Sequence, residues 1–343
     1  MIRRIFLKTC ACLRAVLAGL MGLAALAITA HAQPVAGPVK IIVAGIDKQI
    51  YLPAALADKL GYFKSEGLEV ELLSDSAGVH AEDELLTGSA QGVIGFYDHT
   101  IALQAKGKFV QTVVQFSLAP GEAAVLSSRF KGQIRSPADF KGHMLGITGL
   151  GSSTQLLTQY LALSQGLHLR DLKFTSVGSG ADFVSALESG KVSAGMTSEP
   201  AITYLLGSGR AQMLVDLRTP EAAAEALGGL YPGACLYMPI KWIHAHPQDV
   251  KKLARALVRS LQFIRSHSAA QIADVVPEAY QWSGRKAYVE ALDITKTIFT
   301  ADGMMPPEGP ATVLKVMSTV SPALKDKPID LGRTFSNEFV QSN

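Results

Sequence analysis

Cysteine is scarce in this chain: of three in 343 residues, Cys10 and Cys12 stand near the start and only Cys235 lies further on. A single remaining thiol excludes an intramolecular disulfide, so stability has to come from apolar burial. Long apolar runs are scarce as well. Residues 15–30 form one uncharged run, which falls short of the about 20 residues that a membrane span needs. It follows Arg3, Arg4, Lys8 and Arg14 and ends in Ala30-His31-Ala32, the pattern of a secretory signal peptide. We therefore expect residues 1–32 to be a leader and the mature chain to begin at Gln33 in the periplasm. The run Arg3-Arg4-Ile5-Phe6-Leu7-Lys8 leaves both the Sec and the twin-arginine routes open. Neither leader cysteine follows the apolar run, where lipid anchoring would require one.

An excess of positive charge is missing too. The chain has 32 basic and 29 acidic residues, but four basic and no acidic ones fall in the leader, leaving 28 against 29. Nucleic-acid binding, which calls for a basic stripe on the folded domain, is excluded. Familiar catalytic signatures are lacking. Residues 149–153 are not G-x-S-x-G, His244 and His246 lack the H-E-x-x-H spacing, and His99 is isolated. Cys235 reads as a small buried apolar residue. No enzyme activity, cofactor or metal is expected.

What the chain does have is the composition of a globular protein, 48% hydrophobic and 18% charged. At about 310 residues beyond the leader, it exceeds what one core usually supports, so two lobes are expected. Short apolar runs alternate with helical ones in the βαβ rhythm of an α/β fold. Strands are expected at 39–44, 68–73, 92–95, 109–116, 123–127, 144–148, 173–177, 193–197, 212–215 and 234–238. Helices are expected at 52–60, 79–87, 99–105, 153–165, 181–189 and 200–207. Beyond residue 239 the rhythm gives way to helices at 247–267, 284–299 and 310–321. Lys251, Lys252, Arg255 and Arg259 read as a solvated face of the first of these. The chain is expected to cross between lobes near 121–127 and again near 233–238. That assigns residues 33–122 and 238–343 to lobe 1, residues 123–237 to lobe 2, and a two-strand hinge between them.

The run Tyr51-Leu52-Pro53 followed by Leu56-Ala57-Asp58-Lys59-Leu60-Gly61-Tyr62-Phe63-Lys64-Ser65-Glu66-Gly67-Leu68 resembles the opening of solute-binding proteins of nitrate/sulfonate/taurine ABC transporters, the NMT1/THI5-like family. Residues 92–99, the turn Thr148-Gly149-Leu150-Gly151-Ser152-Ser153-Thr154, and Ser189-Gly190-Lys191-Val192 leading to Glu199-Pro200 extend the resemblance over most of 40–218. It implies a type II periplasmic binding fold, two α/β lobes closing on a small-molecule solute, with an ABC permease of the inner membrane as partner and a monomeric chain. A thiamine-precursor pyrimidine or another aromatic compound as ligand, and a membrane receptor in place of the permease, stay open.

Ligands of open α/β sheets bind beyond the carboxyl ends of strands, which directs attention to four loops. Gly151, Ser152, Ser153 and Thr154 lie at an expected helix start, where free N–H groups and the helix dipole suit an anion; a capping box of Ser152 with Gln155 is the alternative. Asp47, Gln49 and Tyr51 follow the first strand, with a solvated turn at Asp47 and Lys48 as the alternative reading. Tyr97, Asp98 and His99 follow the third, where Asp98 also reads as an N-cap. Glu199 could meet an amine or simply favour a helix start, and Arg218 could grip an anion or pair with Asp216.

Overall fold

A computed structural model describes residues 37–324 and 326–341, so the expected leader lies outside the described residues. The chain lays down ten strands: β1 Val39–Val43, β2 Val70–Ser74, β3 Gly92–Phe96, β4 Val110–Gln115, β5 Glu122–Ser127, β6 Met144–Ile147, β7 Lys173–Ser176, β8 Ala194–Ser198, β9 Ala211–Leu217 and β10 Ala234–Pro239. All ten coincide with expected strands, with ends shifted by a residue or two. They form two five-stranded sheets, ordered β2-β1-β3-β10-β4 and β7-β6-β8-β5-β9.

The two sheets follow one plan. Each has a parallel trio, and each receives one antiparallel strand beside it: β10 between β3 and β4, and β5 between β8 and β9. In both cases the antiparallel strand is the one that has just arrived from the other lobe. This corrects the expected boundaries at 122 and 238. Glu122 pairs with Ser198 and Leu217 and so belongs to the second sheet. Ala234 pairs with Phe96 and Cys235 with Gly95 and Gln115, so the return crossing is complete by Ala234. Strand propensity marks an arriving strand, but only its ladder partners tell which sheet it joins.

The central strands β3 and β8 are buried at every residue, as strands covered by helices on both faces must be. The helix Pro220–Leu227 was not expected, although its signals are strong: Thr219 accepts from the Ala222 amide, proline opens the first turn, and Gly228 closes it in the left-handed conformation.

The helical tail binds to both lobes. Helix Pro247–Ser266 packs its apolar stripe on helix Leu52–Lys59. Its Arg255 reaches Glu66 at 2.6 Å and Arg259 lies over the Tyr62 ring at 4.1 Å, so this basic face is partnered rather than merely solvated. Further on, the Gln115 amide donates to Gly303 O, the Thr112 amide to Thr334 O and the Ser336 amide to Thr112 O, all at 2.8–2.9 Å. These bonds cover the otherwise open edge of β4, the kind of edge that invites pairing with another chain. Helices Arg285–Thr295 and Gly309–Val320 pack on the second-lobe helices Ala201–Gly207 and Ser153–Ser164 respectively.

Where the chain crosses, the two segments are tied together. Gly233 N donates to Ser117 O, Ala234 N to Ser117 Oγ, and Gly121 N to Leu217 O. Gly121 has φ +65°, and a Cβ there would stand 2.4 Å from Ile50 Cδ1 and 3.0 Å from Ile298 Cδ1. Left-handed strain and overpacking add for an alanine. Gly121→Ala is expected to lose about 2–4 kcal/mol in urea unfolding; a loss within about 0.5 kcal/mol, as for a surface change, would show that this crossing does not constrain the fold.

Candidate functional site

Among the described residues the buried charged side chains are Lys48, Glu82, Asp98, His99, Glu122, Glu199 and Arg218. They lie along one seam between the two sheets, which are closed on each other: Gln49 N, from the loop after β1, donates to Glu199 O of the second lobe at 3.1 Å. Burying a charge is costly unless it is paired, so the partners of each group define the seam.

At the head of helix Ser153–Ser164 the structure shows the capping alternative, Ser152 with Gln155. Ser152 is the N-cap and accepts from the Gln155 amide at 3.4 Å. The Gly151 amide donates to Gln155 Oε1 at 2.6 Å, and Thr154 Oγ1 accepts from the Thr148 amide at 3.0 Å. The anion that meets this helix start is the protein's own: Ser153 Oγ donates to Asp98 Oδ1 at 2.9 Å across the seam. Asp98 stands in the first turn of helix Asp98–Ala105, with Tyr97 rather than Asp98 at the N-cap. Burial, partly offset by His99 and the Ser153 hydroxyl, keeps its carboxyl above the ordinary value. A recess of about 160 Å³ opens beside this contact, lined by Asp98, His99, Gly151, Ser152, Gln155 and Met317.

Behind Asp98, His99 Nδ1 pairs with Glu82 Oε1 of helix Gly78–Thr87, and His99 Nε2 lies 3.9 Å from Asp98 Oδ1. Burial alone would depress the imidazole, but Glu82 and then Asp98 outweigh it and hold it at about 9.

The middle of the seam contains groups from both lobes. Lys48 is buried, which overturns the solvated-turn reading for it; its Nζ donates to Ala44 O at 2.7 Å, and burial lowers its affinity for a proton. Glu122, at the start of β5, is equally buried and its Oε2 has no hydrogen-bond partner. Burial raises its carboxyl to about 8, against the pull of Lys48. Tyr51, Tyr231 and Tyr237 are also fully buried. Burial holds all three phenols well above their usual range, with Asp98 adding to each and Glu122 to the first two. The Tyr231 and Tyr237 hydroxyls, Thr197 Oγ1 and Gln49 Oε1 also lack partners.

At the other end, Glu199 precedes Pro200 across a cis peptide bond. Its carboxylate accepts from the Thr203 amide and hydroxyl and from Arg218 Nη1 at 2.8 Å. Arg218 gives Nε and Nη2 to Asp216, as the pairing alternative anticipated.

Of the residues singled out in the sequence, Gln49, Tyr51, Asp98, Ser153, Glu199 and Arg218 meet in the seam. Asp47 stands at its rim, where a Cβ on Gly180 would come 2.7 Å from Oδ2. Tyr97 turns away, its hydroxyl 2.5 Å from Thr334 Oγ1 in the tail. Gly151 is exposed and Thr154 faces inward to Thr148. Lys48, Glu82, Glu122, Tyr231 and Tyr237 were not singled out as ligand groups. A signal existed for Glu122, a carboxylate heading the apolar run Ala123-Ala124-Val125-Leu126 directly after a crossing glycine.

The His99 shift has a definite sign. An imidazole raised to about 9 from 6.5 stabilises the fold fully below pH 6.5 and loses that contribution as pH rises through 9. The melting temperature is expected to fall between pH 7 and 9.5, and His99→Gln to start lower and show a flatter profile. Parallel profiles would contradict the buried ion pair.

A profile described as NMT1/THI5 like matches residues 50–270. A solved structure from Bordetella bronchiseptica RB50 is 34% identical, superposes with a TM-score of 0.85, and covers 89% of this chain and 96% of its own. The alkanesulfonate-binding protein of Xanthomonas axonopodis pv. citri, bound to MOPS, shares the fold at 18% identity and a TM-score of 0.65, over 88% of this chain and 99% of its own. The 4-amino-5-hydroxymethyl-2-methylpyrimidine phosphate synthase of Aspergillus parasiticus is 25% identical over 241 residues, which span 66% of each protein. The fold is that of periplasmic binding proteins, two α/β lobes joined by paired crossings, and the chain belongs to the NMT1/THI5-like family.

Proposed function

We propose that this protein is a non-catalytic, monomeric solute-binding component of an ABC importer, working in the periplasm and handing a small polar solute to a membrane permease. One observation carries the reading: buried polar atoms without partners come from both lobes where the seam joins them. Gln49 comes from the first lobe, Glu122 and Thr197 from the second, and Tyr231 from the return crossing. Buried polar groups without partners cost about 1–3 kcal/mol each, a cost that a bound solute with matching groups removes. Two adjacent crossings supply the hinge through which such a site fills and closes. The family membership and the alkanesulfonate-binding neighbour support the same reading. So does the absence, among the described residues, of any helix long and apolar enough to cross a membrane.

In this reading Tyr51, Tyr231, Glu122 and Lys48 hold the solute. Gln49, Asp98, Ser153 and Glu199 join one lobe to the other around it. A solute that binds the closed form raises the melting temperature by mass action and contracts the chain. The purified protein is expected to do both with one small molecule per chain, read by thermal melting and small-angle X-ray scattering. Contraction without saturable stabilisation, or neither, would overturn the reading.

Ser153→Ala removes the bond to Asp98 while leaving the Ser152 cap in place. Solute affinity is expected to fall about 3- to 10-fold, the range of one lost hydrogen bond, with the unliganded melting temperature nearly unchanged. An equal loss of fold stability would assign Ser153 to local helix capping instead.

A further inference from the structure

The lobes meet at loops that leave the two sheets, and the second lobe presents glycine where the approach is tightest. A Cβ on Gly149, in the loop after β6, would stand 3.0 Å from Ala77 Cβ, in the loop after β2. One on Gly151 would stand 3.2 Å from Val79 Cγ1, and one on Gly180 2.7 Å from Asp47 Oδ2. Hydrogen bonds from Gln49 N to Glu199 O at 3.1 Å and from Ser153 Oγ to Asp98 Oδ1 at 2.9 Å cross the same seam.

Gly149 separates the demands of its own turn from those of the opposite lobe. Gly151 and Gly180 have φ of +84° and +57°, which accounts for glycine there without any contact. Gly149 is outside that region, so its backbone accepts an alanine. Within 4 Å a Cβ on it would meet Ala77 Cβ and, at 3.7 Å, Val79 Cγ2, both from the first lobe. Nothing in its own lobe crowds the position. Ala77 cannot turn aside, because its Cβ is fixed to the backbone at the start of helix Gly78–Thr87, and both residues are buried.

We propose that Gly149 and Ala77 form the closure stop of the protein: the bare Cα of Gly149 lets the lobes settle at this distance, and a side chain there wedges them apart. This rests on the solute-binding reading above and adds to it the residues that position the closed form. Since an open form leaves position 149 uncrowded, a wedge acts on the balance between open and closed rather than between folded and unfolded. One overpacked methyl group lowers the closed-to-open ratio about 5- to 150-fold.

Spin labels on Glu69→Cys and Lys173→Cys, exposed positions at the outer strands β2 and β7, report the interlobe distance in the purified chain without any ligand; the buried Cys235 stays unlabelled. Sucrose, excluded from protein surface, favours the form that exposes less of it. The native chain is expected to populate a short and a long distance, with the short one gaining in concentrated sucrose. Gly149→Ala is expected to lower the short-to-long ratio about 5- to 150-fold, and Gly149→Val to remove the short distance. Adding Ala77→Gly to Gly149→Ala is expected to restore most of the loss, while the urea midpoint of Gly149→Ala stays near the native one. If Gly149→Ala leaves the distances unchanged, or lowers the urea midpoint without rescue by Ala77→Gly, glycine serves the turn, the closure stop fails and the solute-binding reading stands. If the native chain shows one distance that neither sucrose nor Gly149→Val moves, the lobes do not swing and both fail together.

Discussion

The structure depends on the tie between its two crossing segments. The amides of Gly233 and Ala234 bond to Ser117, and that of Gly121 to Leu217, so the strand leaving the first sheet and the strand returning to it run side by side. Each then enters its new sheet antiparallel to a parallel trio. The arrangement fixes the one place where both sheets point the ends of their strands at each other. The loops after β1, β3, β6 and β8 meet there, as the rule for open α/β sheets requires. Tyr231 arrives on the crossing segment itself.

The seam holds charges that a protein interior normally avoids. Two networks satisfy most of them: Glu82–His99–Asp98–Ser153 at one end, and Asp216–Arg218–Glu199–Thr203 at the other. Such networks add little net stability over an apolar core. Their effect is to fix positions, because each carboxylate is aimed by its partner. Between them Glu122 and Lys48 face each other from opposite lobes under heavy desolvation. The seam thus has its charge networks at its ends, with Glu122 Oε2 left without a hydrogen-bond partner between them.

Much of the fold was legible in the sequence because its signals are local. Apolar runs of strand length and glycine-closed helices carry the α/β rhythm, and every strand fell where the pattern put it. The helix start at Ser152 was legible for the same reason. Which sheet a strand joins was not legible, because that depends on ladder partners far away in sequence, as Ala234 with Phe96 shows. The seam was legible by loop and not by side chain. Tyr97 and Thr154 lie in loops that reach the seam but point toward Thr334 and Thr148. Glu122 became visible only when its strand was seen to start at the seam.

The tail gives the hinge a property that the lobes alone would not have. Between the residues that cover the β4 edge, Gly303 before it and Thr334 and Ser336 after it, the chain lays helix Gly309–Val320 on the second-lobe helix that begins at Ser153. The same polypeptide that finishes the first sheet therefore leans on the very helix whose start touches Asp98. In the proposed closure any swing of the second lobe has to slide or lift that brace, which lies outside both sheets.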